Sequence, residues 1–292
     1  MSTAGPAQAR IRIVTDSTAS LPPELVAQYG ITVVPLHVHF GTTAYAEGVT
    51  LTTEQFYRLL GSSAELPTTS APSAGQFIEV YTRLRDECDG IVSIHLNSQW
   101  SATYAAAVQA REQVSDIPIA VIDSRTAALG EGMLAVYAAR AACEGRSLDE
   151  IVRLIHDLIP KMHVVLTVET LEYLRRGGRI GGAQALLGTL LRIRPVLEVR
   201  NARIEVWDRV RTMAKTVERL IDYVAEHAQG RPLAHASVLH AAHPAMAEEL
   251  ARRLEERFVI REFYTSAIGP VIGTHLGPGA FGITFHTDQT DF

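Results

Sequence analysis

Only two cysteines occur in the 292 residues, Cys88 and Cys143, and no Cys-x-x-Cys pair is present. Neither a disulfide framework nor a cysteine-ligated zinc is supported, and a reducing cytoplasm fits. Positive charge is also short, with 27 lysines and arginines against 32 acidic residues and a formal net charge of -5. That balance argues against a general attraction to nucleic acid or an anionic membrane, so any basic site must be local. No stretch approaches the roughly 18 consecutive apolar residues of a membrane-spanning helix, and the opening MSTAGPAQAR has no apolar segment behind a basic start. Neither export nor stable membrane insertion is expected. There is no Gly-Lys pair, hence no phosphate loop for ATP, and no Gly-x-Ser-x-Gly elbow of a serine hydrolase.

What is present is ordinary for a packed globular protein, at 47% hydrophobic and 20% charged residues. Single cores seldom grow much beyond about 250 to 300 residues, so two cores are expected. Strand, polar loop and helix alternate through the first half: RIRIV at 10–14 leads through TDST to a helix starting at Pro22 and Pro23 and stopped by Gly30. ITVVPLHVHF at 31–40 reads as a strand with an edge or bulge at Pro35. Thr52 with Gln55 and Ser147 with Glu150 form capping boxes. Strands at 90–96 and 117–123 each feed a further helix. This grammar predicts a mainly parallel sheet flanked by helices over residues 1–162. From His163 the pattern changes, and 163–292 reads as a second α/β domain closed by a glycine-rich loop and a last strand.

The run at 171–199 is the most unusual stretch, with four glycines among the six residues from Gly177 to Gly182 and arginines at 175, 176, 179, 192 and 194. Glycine serves where backbone bends or approaches something closely. Its lack of interleaved aromatics argues against a nucleic-acid groove. Gly130-Glu131-Gly132-Met133-Leu134-Ala135 fits a loose dinucleotide pattern, but the first glycine does not directly follow a strand, so a helix start is the better reading. His37 with His39, and His240 with His243, lack a third ligand at a recognisable spacing, so no metal site is expected. A set of neutral donors survives: Thr68, Thr69 and Ser70 before one helix, Asn97, Ser98 and Ser101 before another, and His275 among glycines. Such donors suit an anionic oxygen.

TDST at 15–18, PTTSAPS at 67–73, NSQWSATY at 97–104, VIDS at 121–124, RRGGRI at 175–180, VRT at 210–212 and GTHLGPG at 273–279 together resemble the DegV family, in the family's order and over nearly the whole chain. The resemblance implies an α/β, two-domain fold with a long-chain fatty acid, such as palmitate, stearate or oleate, held between the domains. It implies a lipid-binding subunit without catalysis of its own and without a cofactor, which presents the carboxylate to an ATP-binding fatty acid kinase subunit for acyl-phosphate formation. By motif, the carboxylate ligands are Thr68 or Thr69, Ser98 or Ser101, and His275, with Thr69 and Ser98 preferred and Arg211 near the head group. Arg175, Arg176 and Arg179 become candidates for docking the kinase, and Leu186, Leu187, Leu190 and Leu191 for tunnel or core.

Where the family often has Ser-Ser-x-Leu-Ser-Gly-Thr, this chain carries Trp100 for the aliphatic and Ala102 for the glycine, so Trp100 is a candidate to narrow or bend an acyl tunnel. A 16-carbon tail buries about 15 carbons at roughly 0.8 kcal/mol each, an upper bound near about 12 kcal/mol before ordering costs. The tail supplies affinity and the head supplies orientation. The competing reading is a stand-alone transferase or hydrolase acting on a small carboxylic acid through Ser98 or His275. A DNA-binding regulator is a third.

Overall fold

The computed structural model describes residues 10–187 and 193–287. In chain order the strands are β1 (Ile11–Asp16), β2 (Thr32–Val34), β3 (His37–Phe40), β4 (Thr43–Ala46), β5 (Thr68–Ser70), β6 (Gly90–His95), β7 (Ile119–Asp123), β8 (His163–Thr167), β9 (Arg194–Arg200), β10 (Arg203–Val210), β11 (Leu233–His240), β12 (Ile260–Ala267) and β13 (Phe281–His286). The helices are α1 (Pro23–Tyr29), α2 (Thr53–Ser62), α3 (Ala74–Arg85), α4 (Thr103–Gln113), α5 (Leu129–Cys143), α6 (Leu148–Leu158), α7 (Glu172–Arg176), α8 (Met213–Ala228), α9 (Pro244–Arg257) and α10 (Pro270–Leu276).

The fold is α/β. Four parallel strands in the order β2-β1-β6-β7 form the first sheet. Helices cover both faces, which is why β6 is buried along its whole length rather than in alternation. Phe77, Tyr81 and Leu84 of α3, with Ala107 and Ala110 of α4, pack on Val14 and Ile91 from one side. On the other, α5 and α6 pack on Ile13, Val92 and Ile94 through Met133, Tyr137, Ile151 and Ile155. Both capping boxes form, and Gly30 ends α1 at φ 59°.

The second sheet has six strands in the order β10-β9-β8-β13-β11-β12. Only β11 and β12 run parallel in it, while the other pairings are antiparallel. Helices α8 and α9 cover one face with Val217, Leu220, Val224, Leu250 and Leu254. Its other face, through Leu166, Leu197, Ile204 and Leu239, meets Leu129 at the start of α5 and Leu276 of α10.

A third sheet, β4-β3-β5, is small and antiparallel. It corrects two sequence expectations. The strand expected over 31–40 is two strands in different sheets, divided at Pro35, which has no N–H for a ladder. The polar loop at 67–73 contains β5, whose Thr68 and Thr69 pair with His39 and Val38. The glycine-rich segment before the last strand contains α10, which packs on α2, β3, β5 and α7. Pro270 opens that helix and Gly277 ends it at φ 75°. Gly130 and Gly132 lie inside α5, in keeping with a helix-start reading of that motif.

Candidate functional site

Between the two large sheets lies a cavity of about 330 Å³. Its wall is mostly aliphatic: Leu36 and Leu96 from the first half, Val164, Leu166, Val199 and Ile204 from the six-stranded sheet, and Val271, Ile272 and Leu276 from α10. Thr69, Ser70, Ser101, Arg179 and His275 bring polar groups to the same lining, and Trp100 brings an aromatic one.

Two of the sequence candidates meet directly. Thr69 Oγ1 and His275 Nε2 lie 2.9 Å apart although 206 residues separate them in the chain. β5 delivers the threonine by its register on β3, and α10 delivers the histidine. The imidazole sits so close to Gly177 that a methyl group there would overlap Nδ1. This gives the glycine run a concrete use. Nδ1 itself is buried and has no hydrogen-bond partner among the described residues. Burial, with a smaller contribution from the Arg179 charge, pushes the His275 pKa down to about 4. The ring is neutral at pH 7.

The other candidates divide. Ser101 lines the cavity, its hydroxyl 2.9 Å from Thr103 Oγ1 and accepting the Thr103 N–H at 3.3 Å where α4 begins. Ser98 does not line it: its hydroxyl donates to Asp123 Oδ2 at 2.5 Å and its N–H to Oδ1 at 3.2 Å, on the exposed side of the loop. Thr68 is exposed and absent from the lining, because alternation along β5 turns it opposite to Thr69. Arg211 is exposed in the turn between β10 and α8 and is likewise absent from the lining.

Arginines of the glycine run also separate. Arg175 and Arg176 are exposed and share Glu172. Arg179 instead lines the cavity and donates to the Trp100 carbonyl from Nε at 2.9 Å and Nη2 at 2.7 Å. It therefore fastens the NSQW loop to the second half. Asn97 does the same from the other side, donating to the Ala202 carbonyl at 2.7 Å. The sequence reading missed both ties, since each partner is a backbone carbonyl with no residue signature. Leu186 is buried and Leu187 is 40% exposed, whereas Leu190 and Leu191 lie outside the described residues.

A hydrolase reading must reckon with another array. Ser93 Oγ lies 2.7 Å from His95 Nε2, and His95 Nδ1 lies 3.0 Å from Asp16 Oδ2. All three residues have zero exposure, and Tyr81 donates to Ser93 at 2.8 Å. The order Ser-His-Asp is that of a catalytic triad, but this one is sealed in the core and braces β1 against β6. His39 Nε2 is 2.9 Å from Ser70 Oγ, and His240 Nδ1 accepts from His243 N–H at 3.2 Å. Among the described residues no group of three metal-ligating side chains gathers. No helix among them is long and apolar enough to cross a membrane.

A family model described as "Uncharacterised protein, DegV family" matches residues 10–288. The chain belongs to the DegV family. Among curated relatives, a DegV domain-containing protein of Streptomyces coelicolor is 40% identical over 94% of this chain and 97% of its own length. Protein DegV of Bacillus subtilis is 36% identical over 94% and 98%. Among solved structures, a fatty-acid-binding DegV family protein of Thermus thermophilus superposes with a TM-score of 0.91 at 34% identity, covering 96% of this chain and all of that one. The fatty-acid-binding DegV of Bacillus subtilis gives 0.88 at 35% identity with the same coverage. The DegV fold thus spans the whole described chain.

Proposed function

We propose that this DegV protein binds a long-chain fatty acid such as palmitate, stearate or oleate in the cavity between its sheets and presents the carboxylate to an ATP-dependent fatty acid kinase. The observation that carries the reading is the Thr69–His275 pair at an otherwise aliphatic cavity. An ionised carboxylate removed from water needs donors or it takes up a proton. With Nδ1 sealed against Gly177, the Nε2–H donates to Thr69 Oγ1 and leaves the threonine hydroxyl to donate to the ligand. Ser101, on the same lining, supplies a second hydroxyl. A carboxylate held by hydroxyls rather than by a bidentate guanidinium keeps an oxygen free to attack a phosphoryl group, which a separate ATP-bearing partner would bring. Exposed Arg175, Arg176 and Arg211 offer cationic contacts to that partner.

The strand distribution supports a division into units of 1–162 and 163–292, and the two free cysteines are compatible with a cytoplasmic location. Both fatty-acid-binding neighbours named above support the ligand class. Native mass spectrometry of the purified protein tests the reading. One long-chain fatty acid per chain is expected, sensitive to Thr69→Val. An empty protein that refuses added oleate, or one that turns over a small acid by itself, would overturn it.

A further inference from the structure

Glu47 follows β4 in a tight turn, and only 5% of it is exposed. One of its carboxyl oxygens lies 2.5 Å from Ser17 Oγ, and the other accepts the Val271 N–H at 3.0 Å. Ser17 Oγ also accepts the Leu36 N–H at 2.9 Å. Val271 belongs to the first turn of α10, one turn before His275. One side chain therefore ties the end of β1 and the β2–β3 connection to the helix that carries the ligand-site histidine. The approach is close, since a methyl group on Gly269 would overlap the Glu47 carboxyl.

Among the described residues no cation pairs with Glu47. Asp16, at the end of β1, and Tyr57 of α2 are the titratable groups coupled to it; α10 contributes the Val271 N–H and the turn after β1 the Ser17 hydroxyl. Asp16 is fully buried and, although burial opposes it, hydrogen bonds from His95, Thr18 and Leu96 N–H keep it ionised below the usual range. On the outer side of Glu47 lies a second cavity of about 380 Å³, bordered by Asp16, Ser17, Val49, Gly269 and Pro270. Val49, at 71% exposed, is part of the turn that covers it.

We propose that Glu47 is a positioning residue for the ligand site: in its neutral form it clamps α10 and His275, and in its ionised form it loosens them. The proposal rests on the fatty-acid reading of the main cavity. In the closed arrangement the Ser17 O–H donates to one Glu47 oxygen and the Val271 N–H to the other, and a neutral carboxyl keeps both contacts, either accepting from Ser17 Oγ or donating to it. An ionised one keeps both donors but is a second buried carboxylate near Asp16 with no counterion among the described residues, and water from the outer cavity offers the hydration that burial denies it. Burial pushes the Glu47 pKa up to about 7, the Asp16 charge adding to the rise and the two hydrogen bonds opposing it. A hydrated Glu47 returns toward 4.5. Linkage then sets the sign: the closed form holds the proton more tightly, so rising pH favours the loosened form, by at most about tenfold per pH unit above the midpoint.

The test is the rate at which bound oleate passes to excess fatty-acid-free albumin between about pH 6 and about pH 9, for the full chain and for Glu47→Gln. Glutamine reproduces the neutral form, with its amide donating to Ser17 Oγ and its oxygen accepting from Val271 N–H. Wild type is expected to release oleate several-fold faster as pH rises through about 7, and Glu47→Gln to release it slowly at every pH. An equal rise in both proteins would overturn the proposal, because it would come from oleate or albumin. A second readout does not depend on lipid: the Val271 and His275 amide resonances of the lipid-free protein should titrate near neutral pH in wild type and not in Glu47→Gln. If oleate does not bind at all, the fatty-acid reading fails and the resonances alone decide on Glu47; their failure to titrate sinks the clamp.

Discussion

His275 shows how much a single glycine can decide. Its Nδ1 face rests on the Gly177 backbone and its Nε2 face on Thr69, so the ring is held between two elements from different parts of the chain. Gly177→Ala should push the ring away from Thr69 and, by removing the bond that orients the threonine hydroxyl, reduce oleate affinity by up to about 10-fold, the weight of a lost hydrogen bond between neutral partners. Circular dichroism and thermal unfolding of the same variant check that the fold persists; unchanged affinity in a folded variant would contradict the arrangement. That Thr69 and His275 belong together was legible in the sequence because both stand in recognisable motifs. That Ser101 rather than Ser98 lines the cavity was not. Both are loop serines three residues apart, and only the bond from Ser98 to Asp123, 25 residues away, turns Ser98 outward.

Among the elements, α5 carries the tightest packing argument. It is buried on nearly all sides, and its Gly132 meets the Ala19 carbonyl and Leu21, where a Cβ would come within 2.6 Å of the Ala19 oxygen. Gly132→Ala gains helix propensity, yet overpacking against backbone should prevail and destabilise the protein by about 1–3 kcal/mol. Urea unfolding measures this, and a stabilised variant would show that the turn at 17–19 yields freely. Amphipathic helices such as α6 and α8 were readable because one apolar stripe faces one sheet. β4, β5 and α10 were not. Each is three to seven residues long, rich in hydroxyls or glycine, and formed by partners that local pattern does not reveal.

At the scale of the molecule, buried titratable groups of two kinds set the response to pH. His275 and His163 are pushed down to about 4, and His235 well below its ordinary value, in each case chiefly by burial. For these groups the unfolded chain binds protons more tightly, so their stabilisation is complete above about 6.5 and lost as pH falls toward about 4. Glu47 and Glu131 are raised, again chiefly by burial, and the sign reverses: their stabilisation is complete below about 4.5 and lost as pH rises, through about 7 for Glu47 and through a pKa well above its ordinary value for Glu131. Three imidazoles outweigh two carboxyls on the acid side, and the carboxyls act alone on the alkaline side. Stability should therefore peak near about pH 6.5 and decline both ways, by at most about 1.4 kcal/mol per pH unit for each proton. Denaturant unfolding from about pH 4 to about pH 9 checks it, with Glu131→Gln flattening the alkaline arm; a curve rising steadily to the alkaline end would refute the assignment.

The sequence by itself determined the α/β class, the capped helices and the family, because those depend on local periodicity, capping chemistry and motif order. Tertiary structure alone decided which donors share a cavity. Thr69 and His275 meet across 206 residues, Arg179 and Asn97 tie loops through backbone carbonyls, and Glu47 reaches α10 across 224. Such pairings have no period and no spacing. They exist only once hydrophobic burial has brought two sheets and a short helix together around one apolar space.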